Sequence, residues 1–131
     1  MSTRRFWPLA AILFSLPFGY FFAQSWIADG QSLSQSLYAG AMNFFYIGLP
    51  QALIALTCLL ASVRRTTTLA FLILADGLFA TFTIWTYGKV DTAIAWFVLY
   101  LPGSIAVLAL AGLAWLAYST SRRGDPAAAE V

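Results

Sequence analysis

Residues 67–87 read TTLAFLILADGLFATFTIWTY, and this run decides the kind of fold to expect. A helix of this length covers about 30 Å at about 1.5 Å per residue, which matches the hydrocarbon thickness of a bilayer. Asp76, near its middle, is the one charged residue in the run. Because a helix that is apolar on every side lies either in a protein core or in lipid, the run is predicted to be a transmembrane helix.

Three further apolar runs lie outward from this one, at residues 6–27, 41–63 and 92–118. Each reaches the length of about 20 mostly apolar residues that a membrane span requires. The sequence therefore predicts a single all-α membrane domain of four transmembrane helices, arranged as an up-down antiparallel bundle. Residues 119–131 include a glycine, a proline and three consecutive alanines, and we expect them to form a disordered cytoplasmic tail.

The composition of the whole chain also indicates a lipid environment. Of its 131 residues 61% are hydrophobic and 9% are charged, and the mean hydropathy is +0.80. Soluble domains average about 45–50% apolar and 25% charged residues. Since a soluble domain of this size cannot bury so much apolar surface, the lipid bilayer is the first partner that the sequence implies.

Residue types that are absent or rare exclude several functions. The sequence contains no histidine, and Cys58 is its one cysteine. A His/Cys metal site, haem ligation by histidine and an intrachain disulfide are therefore excluded, and no metal and no cofactor is expected. Seven basic residues against five acidic ones are too few and too scattered for nucleic-acid binding.

The arginines predict the orientation of the chain in the membrane. All six lie in adjacent pairs, at Arg4 and Arg5, Arg64 and Arg65, and Arg122 and Arg123. With four spans, the three pairs fall on the same side of the bilayer, and the positive-inside rule assigns that side to the cytoplasm. Both termini are thus predicted to be cytoplasmic, in a membrane of the bacterial inner (plasma) type.

The connection after the first predicted span is the longest and carries Leu33 and Leu37, four residues apart among serines and glutamines. That spacing fits a short amphipathic turn on the membrane surface, with Asp29 as its N-cap. A solvated loop that carries two leucines is the alternative.

Two spans carry small residues at helical spacing, the pattern that lets helices approach closely in lipid. The first span has them every four residues and the fourth span every three, at Ala11, Ser15, Gly19 and Ala23 and at Gly103, Ala106, Ala109 and Gly112. We expect these faces to be the helix contacts of the bundle, either within one chain or between two chains.

Prolines interrupt three predicted spans, at Pro17, Pro50 and Pro102. Each removes an amide donor and frees a carbonyl, so we expect a kink or a local opening of the helix there. Backbone groups freed at membrane depth bond to neighbours or line a wet cavity.

Asp76 is the one acidic or basic residue that lies well inside a predicted span. A charged Asp at the centre of a membrane helix costs about 2.5–3.5 kcal/mol on insertion scales, so burial favours the neutral acid unless a cation or several donors offset the cost. At about 100° per residue, Asp76 begins a polar stripe that continues through Thr83 and Tyr87 toward the outer face.

Partners for Asp76 are expected on the second span. Asn43 and Gln51 project toward one side of that helix, with Tyr46 beside them, and the short connection to the third span makes the two helices neighbours. A hydrogen bond to a protonated Asp76 from Gln51, Tyr46 or Tyr100 is one hypothesis. Proton or cation coupling at Asp76 is the second, and docking of Asp76 against another membrane protein is the third.

These residues indicate that the protein is not an enzyme, since no acid–base pair and no activated nucleophile can be assembled from the spans. Short loops and small-residue faces favour a protein that acts by helix–helix contact with a membrane partner, either as an accessory or assembly subunit or as an immunity-type protective protein. The alternative is a small homo-oligomeric transporter or channel that uses Asp76 for proton or cation coupling.

In architecture, four short helices resemble the small multidrug exporters and the fluoride channels. The exporters carry their essential acid in the first span, where this chain has none, and the broken third helix of the channels resembles residues 77–83 only loosely. Immunity proteins against pore-forming bacteriocins are similar in being small and polytopic. Because no motif supports these resemblances, none of them assigns a family.

Overall fold

The structure, a computed structural model, describes residues 2–61, 63–89 and 92–123. Within these ranges every regular element is helical, as predicted. The α-helices are α1 Thr3–Ala23, α2 Leu33–Ile47, α3 Leu49–Ala61, α4 Arg65–Thr86, α5 Thr92–Ala95 and α6 Leu101–Arg123. Two π-helical turns, Gln24–Ala28 and Trp96–Tyr100, extend α1 and join α5 to α6.

Three stretches of helix are long and apolar enough to cross a membrane, at Thr3–Ala28, Arg65–Thr86 and Trp96–Arg122. The pair α2 and α3 passes the same test, but its two members are bent by 65° relative to each other. The described part of the chain thus contains three candidate spans, or four if the bent pair counts as one. Of the four predicted spans, three are single long helical stretches and the second is a broken pair.

The bend between α2 and α3 lies at Gly48, two residues before Pro50. Pro50 has no amide hydrogen, so it cannot donate to the carbonyl four residues earlier, and the helix is interrupted. On either side of the break the backbone bonds continue, with Gly48 N–H donating to the Phe44 carbonyl at 2.9 Å and Ala52 N–H donating to the Gly48 carbonyl at 3.0 Å. The kink expected at Pro50 is therefore present, and it divides the predicted second span into two half-helices.

Helix α2 begins at Leu33, well before the predicted start of the second span. Its N-cap is Ser32, which forms a reciprocal capping box with Gln35. The prediction of Asp29 as an N-cap is wrong, because this residue caps the C-terminal end of the preceding π-helical turn. Leu33 and Leu37 accordingly belong to the first turns of a long helix rather than to a separate surface turn.

Pro17 and Pro102, the other two prolines within predicted spans, differ in their effect on the helix. Pro17 is buried within α1, and the helix continues through it. Pro102 is the second residue of α6, and the π-helical turn Trp96–Tyr100 lies directly before it. A π-helical turn is a local opening of the hydrogen-bond pattern, so the expected disturbance is present at Pro102.

Helix α6 extends to Arg123, past the predicted end of the fourth span. Residues 119–123 are therefore helical rather than part of a disordered tail. The rest of the predicted tail, residues 124–131, and the side chain of Arg123 lie outside the described residues.

Helices α1 and α2 approach each other closely at Gly40. A Cβ atom there would lie 2.9 Å from the Phe18 ring and 3.2 Å from the Phe18 carbonyl oxygen. Ser36, one turn earlier on α2, is fully buried. This Ser36–Gly40 pair is the small-residue contact between the two helices.

The predicted small-residue faces are mostly turned outward. Ala11, Ser15, Gly19, Gly103, Ala106 and Ala109 are exposed, whereas Ala23 and Gly112 are half-buried. A Cβ atom at any of the three glycines would meet nothing within 4 Å. The six exposed residues make no close contact within the chain, and contact between chains stays a prediction for both faces.

Helix α1 packs through large aromatic side chains on another face. The Phe14 ring lies 5.2 Å from the Phe44 ring of α2, and the Tyr20 ring lies 5.5 Å from the Phe79 ring of α4. Edge-to-face aromatic pairs bury more area than small residues and add a favourable ring–ring term. This packing is the physical reason why the small-residue face of α1 is left outside.

Helix α4 lies at the centre of the assembly and joins two apolar clusters. One cluster comprises Ile47, Phe79, Trp96 and Tyr100. The other comprises Ile54, Leu72 and Ala75. Asp76 follows Ala75 and precedes Phe79 by one turn, so it lies on α4 where the two clusters meet.

Candidate functional site

The candidate site is centred on the carboxyl group of Asp76, which is 7% exposed in the middle of α4. Leu72 and Phe79, four residues before it and three residues after it, are buried on the same face of the helix. Residues at these spacings share one side of a helix, so the packing that buries Leu72 and Phe79 also carries Asp76 inward.

Gln51 is the hydrogen-bond partner of Asp76. It lies in the first turn of α3 with 0% of its surface exposed, and its Nε2 donates to Asp76 Oδ1 at 3.1 Å. The hydrogen bond expected from Gln51 is thus present, and it joins α3 to α4. A buried acid requires such a donor, because an unpaired polar group away from water is costly.

Three further oxygen atoms at this place are buried without a hydrogen-bond partner among the described residues: Asp76 Oδ2, Gln51 Oε1 and the Tyr100 hydroxyl. Tyr100 is 3% exposed, and its hydroxyl lies beside the Gln51 side chain and close to Asp76. Each unmet buried polar group costs about 1–3 kcal/mol. The Asp76–Gln51–Tyr100 cluster therefore has unused bonding capacity of the kind that a proton, a water molecule or a small cation satisfies.

Gln51 and Tyr100 both lie at irregular points of their helices. Gln51 follows the break between α2 and α3, and Tyr100 ends the π-helical turn before α6. Such irregularities leave backbone groups unpaired and are frequent at functional sites. Pro50 and Pro102, each within two residues of Gln51 or Tyr100, are the sequence signal that points to both positions.

Aromatic side chains pack around Tyr100. The Trp96 ring lies 5.0 Å from the Tyr100 ring, 4.6 Å from the Phe82 ring and 5.5 Å from the Phe79 ring. Contacts of this kind stabilise a core beyond the area that they bury. They hold the Tyr100 ring in place beside Gln51.

The residues of the predicted polar stripe on α4 do not bond to one another. The Thr83 hydroxyl donates to the Phe79 carbonyl of its own helix at 2.8 Å, and Tyr87 is 85% exposed at the helix end. A threonine in a helix can satisfy its hydroxyl on the preceding turn, which removes any need for a partner on another helix. Thr83 and Tyr87 are therefore not joined to Asp76.

The other predicted partners, on α2, are also separate from Asp76. Asn43 Nδ2 donates to the Ala39 carbonyl one turn earlier at 2.8 Å. Tyr46 is partly exposed and packs against Phe97, with the ring centroids 5.6 Å apart. The prediction projects Asn43 and Gln51 on one helix axis, whereas the 65° bend turns α2 away from the direction of α3.

Sequence reasoning gives no role to Ser104, which lies one turn after Tyr100 on α6. Ser104 is 3% exposed, and its Oγ donates to the Leu101 carbonyl at 3.1 Å. Ser104 lies on the same buried side of the helix as Tyr100. The four-residue spacing of these two polar residues is the sequence signal that could have identified Ser104.

Two of the three arginine pairs that predict the topology lie at the same end of the helices. Arg65 Nη1 donates to Thr3 Oγ1, and the Arg65 guanidinium lies 5.8 Å from the centroid of the Phe6 ring. This contact brings the start of α4, and with it Arg64, to the start of α1, where Arg4 and Arg5 are exposed. Arg122, near the end of α6, lies 4.8 Å from the centroid of the Tyr118 ring.

No group of three or more His, Cys, Asp or Glu side chains within the described ranges is placed to hold a metal ion. Comparison of the chain with known protein families, with curated proteins and with solved structures found no match.

Proposed function

We propose that the protein is a small multi-pass membrane protein without enzymatic activity that acts by helix–helix contact with a membrane partner. The roles that fit this proposal are an accessory or assembly subunit and an immunity-type protective protein. The observation that carries the proposal is the outward face of α1, where Ala11, Ser15 and Gly19 are exposed at four-residue spacing. In lipid such a face lets another helix approach to backbone contact.

The proposed topology has four spans in an antiparallel bundle, with both termini in the cytoplasm of a bacterial-type cell. The contact between Thr3 and Arg65 supports it, because it brings two of the three arginine pairs to one end of the helices. Lys89, at the end of the turn after α4, lies 4.0 Å from the centroid of the Trp85 ring, an arrangement typical of a membrane interface.

We also propose the absence of catalytic activity. It is supported by the hydrogen-bond partner of Asp76, which is an amide rather than a base or a nucleophile. Cys58 is half-buried and its Sγ accepts a hydrogen bond from Thr68 Oγ1 at 2.9 Å, so this thiol has a packing contact rather than a basic neighbour.

The contact function is tested by enlarging the exposed face of α1. Because nothing lies within 4 Å of a Cβ atom at Gly19, Gly19→Leu leaves the packing within the chain intact. The matched control is Ala80→Leu, an exposed small residue on α4. After purification in mild detergent, wild type and Ala80→Leu should retain a stoichiometric partner chain or second copy, and Gly19→Leu should lose it. A single unaccompanied chain in all three preparations would contradict the proposal.

A second candidate function is a homo-oligomeric transporter or channel coupled to a proton or cation at Asp76. The specific observation that favours it is the set of three buried, unpartnered oxygen atoms at Asp76, Gln51 and Tyr100. Intramembrane acids with such capacity mark ion and proton pathways in many membrane proteins.

Reconstituted vesicles separate this candidate from the contact function. If the protein carries an ion, wild-type vesicles will show flux under a proton or sodium gradient, and Asp76→Asn will abolish it. Wild-type vesicles that show no flux under any gradient remove the second candidate and leave the contact function in place.

A further inference from the structure

An apolar groove of about 360 Å³ lies between α1 and α3, next to the start of α4. Trp7, Ala11 and Phe14 line it on α1, and Ala55 and Leu59 line it on α3. Its volume falls within the range of about 300–1,000 Å³ that is typical of ligand pockets.

Arg65 is the cationic residue at the wall of this groove. Its side chain is fixed in place by the bond from Nη1 to Thr3 Oγ1 and by the Phe6 ring. A guanidinium has five N–H donors, so most of the hydrogen-bonding capacity of Arg65 is still available to an anion.

Three more arginines lie one or two positions away in the sequence from residues that line this end of the groove. Arg4 and Arg5 lie in the first turn of α1, and Arg64 directly precedes α4; all three are exposed. Of the acidic residues that the structure describes, Asp29 lies beyond the other end of α1 and Asp76 lies in the middle of α4. Neither of them neutralises this group of four positive charges.

We propose that the groove and the arginines at its end form a binding site for one anionic phospholipid. One acyl chain lies in the groove, and the phosphate of the headgroup bonds to Arg65 within the field of Arg4, Arg5 and Arg64. Charge complementarity selects this occupant, because a zwitterionic lipid brings a cationic headgroup next to four arginines. The site rests on the proposed membrane location of the chain but on neither proposed activity.

Native mass spectrometry of the full chain in non-ionic detergent tests the site, with dioleoyl-phosphatidylglycerol and dioleoyl-phosphatidylcholine as the two lipids. We expect phosphatidylglycerol to bind at least about tenfold more tightly than phosphatidylcholine. Arg65→Gln should reduce that preference several-fold. Lys89→Gln, which removes a cation that packs on Trp85 away from the groove, is the matched control and should retain it.

Two further measurements complete the test. One asks whether a simple anion competes with the lipid, and the other asks whether the groove is needed in addition to the arginines. Inorganic phosphate at matched ionic strength should not compete, since it has no acyl chain to occupy the groove. Ala55→Trp fills the groove and keeps every arginine, so it should weaken phosphatidylglycerol binding at least about fivefold. Equal binding of both lipids, competition by phosphate, or full binding by a folded Ala55→Trp protein would overturn the proposal.

If Arg65→Gln does not fold, as judged by its circular dichroism, the double variant Arg4→Gln/Arg5→Gln takes its place. These two side chains are exposed, so their removal leaves the core intact. The same loss of preference for phosphatidylglycerol is expected, and an unchanged preference would count against the site.

Discussion

At the residue scale, Asp76 and Gln51 each satisfy a buried polar group of the other. Each side chain alone would be a polar group without a partner between two apolar clusters, and together they satisfy one donor and one acceptor at 3.1 Å. Removal of one member is therefore expected to be worse than removal of both, because an apolar pair leaves no unsatisfied polar group at either of these two positions.

This asymmetry gives a double-mutant prediction. Gln51→Leu leaves Asp76 without its donor and should lower the free energy of unfolding by about 1–2 kcal/mol. Asp76→Asn keeps a polar partner for the Gln51 amide and should change it by less than about 0.5 kcal/mol. The double variant Gln51→Leu/Asp76→Leu should recover most of the stability that Gln51→Leu loses. Unfolding in mixed detergent measures the free energy of unfolding of all three variants. A double variant no more stable than Gln51→Leu would contradict the prediction.

At the scale of the elements, the break between α2 and α3 depends on Gly48 as well as on Pro50. A Cβ atom at Gly48 would lie 2.6 Å from the Phe44 ring and 2.7 Å from the Phe44 carbonyl oxygen. The ring can rotate away, but the carbonyl belongs to the backbone of α2 and cannot move without changing the bend. Position 48 thus requires glycine, because the Phe44 carbonyl leaves no room for a Cβ atom.

We expect Gly48→Ala to destabilise the protein by about 1–3 kcal/mol, the usual cost of forcing an extra carbon into a packed site. Gly77→Ala is the matched control, because a Cβ atom at Gly77 in α4 meets nothing within 4 Å. Alanine is a better helix former than glycine, so the control should be neutral or stabilised by up to about 1 kcal/mol. Thermal unfolding followed by circular dichroism compares them; equal melting temperatures for the two variants would show that Gly48 is not under strain.

The contact between α1 and α2 gives a second prediction at this scale. Gly40→Leu inserts a side chain where even a Cβ atom lies 2.9 Å from Phe18, so α1 should separate from α2. Gly19→Leu, on the open face of α1, should leave that contact unchanged. A cross-link by a short bis-maleimide between cysteines introduced at Phe14 and Phe44 of a Cys58→Ala background reports the contact, since these two side chains pack on each other. Its yield should fall in Gly40→Leu alone.

At the scale of the whole molecule, sequence reasoning locates the long helices well, because about 20 apolar residues leave a chain few alternatives to a helix in lipid. It misses the start of α2, where polar residues resemble a loop although Ser32 and Gln35 form a capping box. It finds Asp76 and Gln51 but also selects Asn43 and Thr83, whose side chains bond to their own helices. Helical projection gives the direction of a side chain, and neither the 65° bend nor such local bonds follow from it.

The number of spans is a further whole-molecule prediction. Single cysteines at Ser2 and Ser121 in a Cys58→Ala background should react with a membrane-impermeant maleimide only after the cells are opened, because an even number of spans returns both ends to the cytoplasm. A cysteine at Gln31 should react from outside in intact cells. Labelling of Ser121→Cys from outside, with Ser2→Cys protected, would instead show that the bent pair does not cross the membrane.

The bent pair also constrains how the chain is made. Helices α2 and α3 have 15 and 13 residues, which gives lengths of about 22 Å and 20 Å, and neither reaches across about 30 Å of hydrocarbon. In the proposed four-span topology, the two halves would therefore leave the translocon together as one segment. The angle at Gly48 can then form only later, once α1 and α4 are present to receive the two halves. Biogenesis of this chain would accordingly have two stages, and a variant blocked at Gly48 would accumulate fully inserted but unassembled.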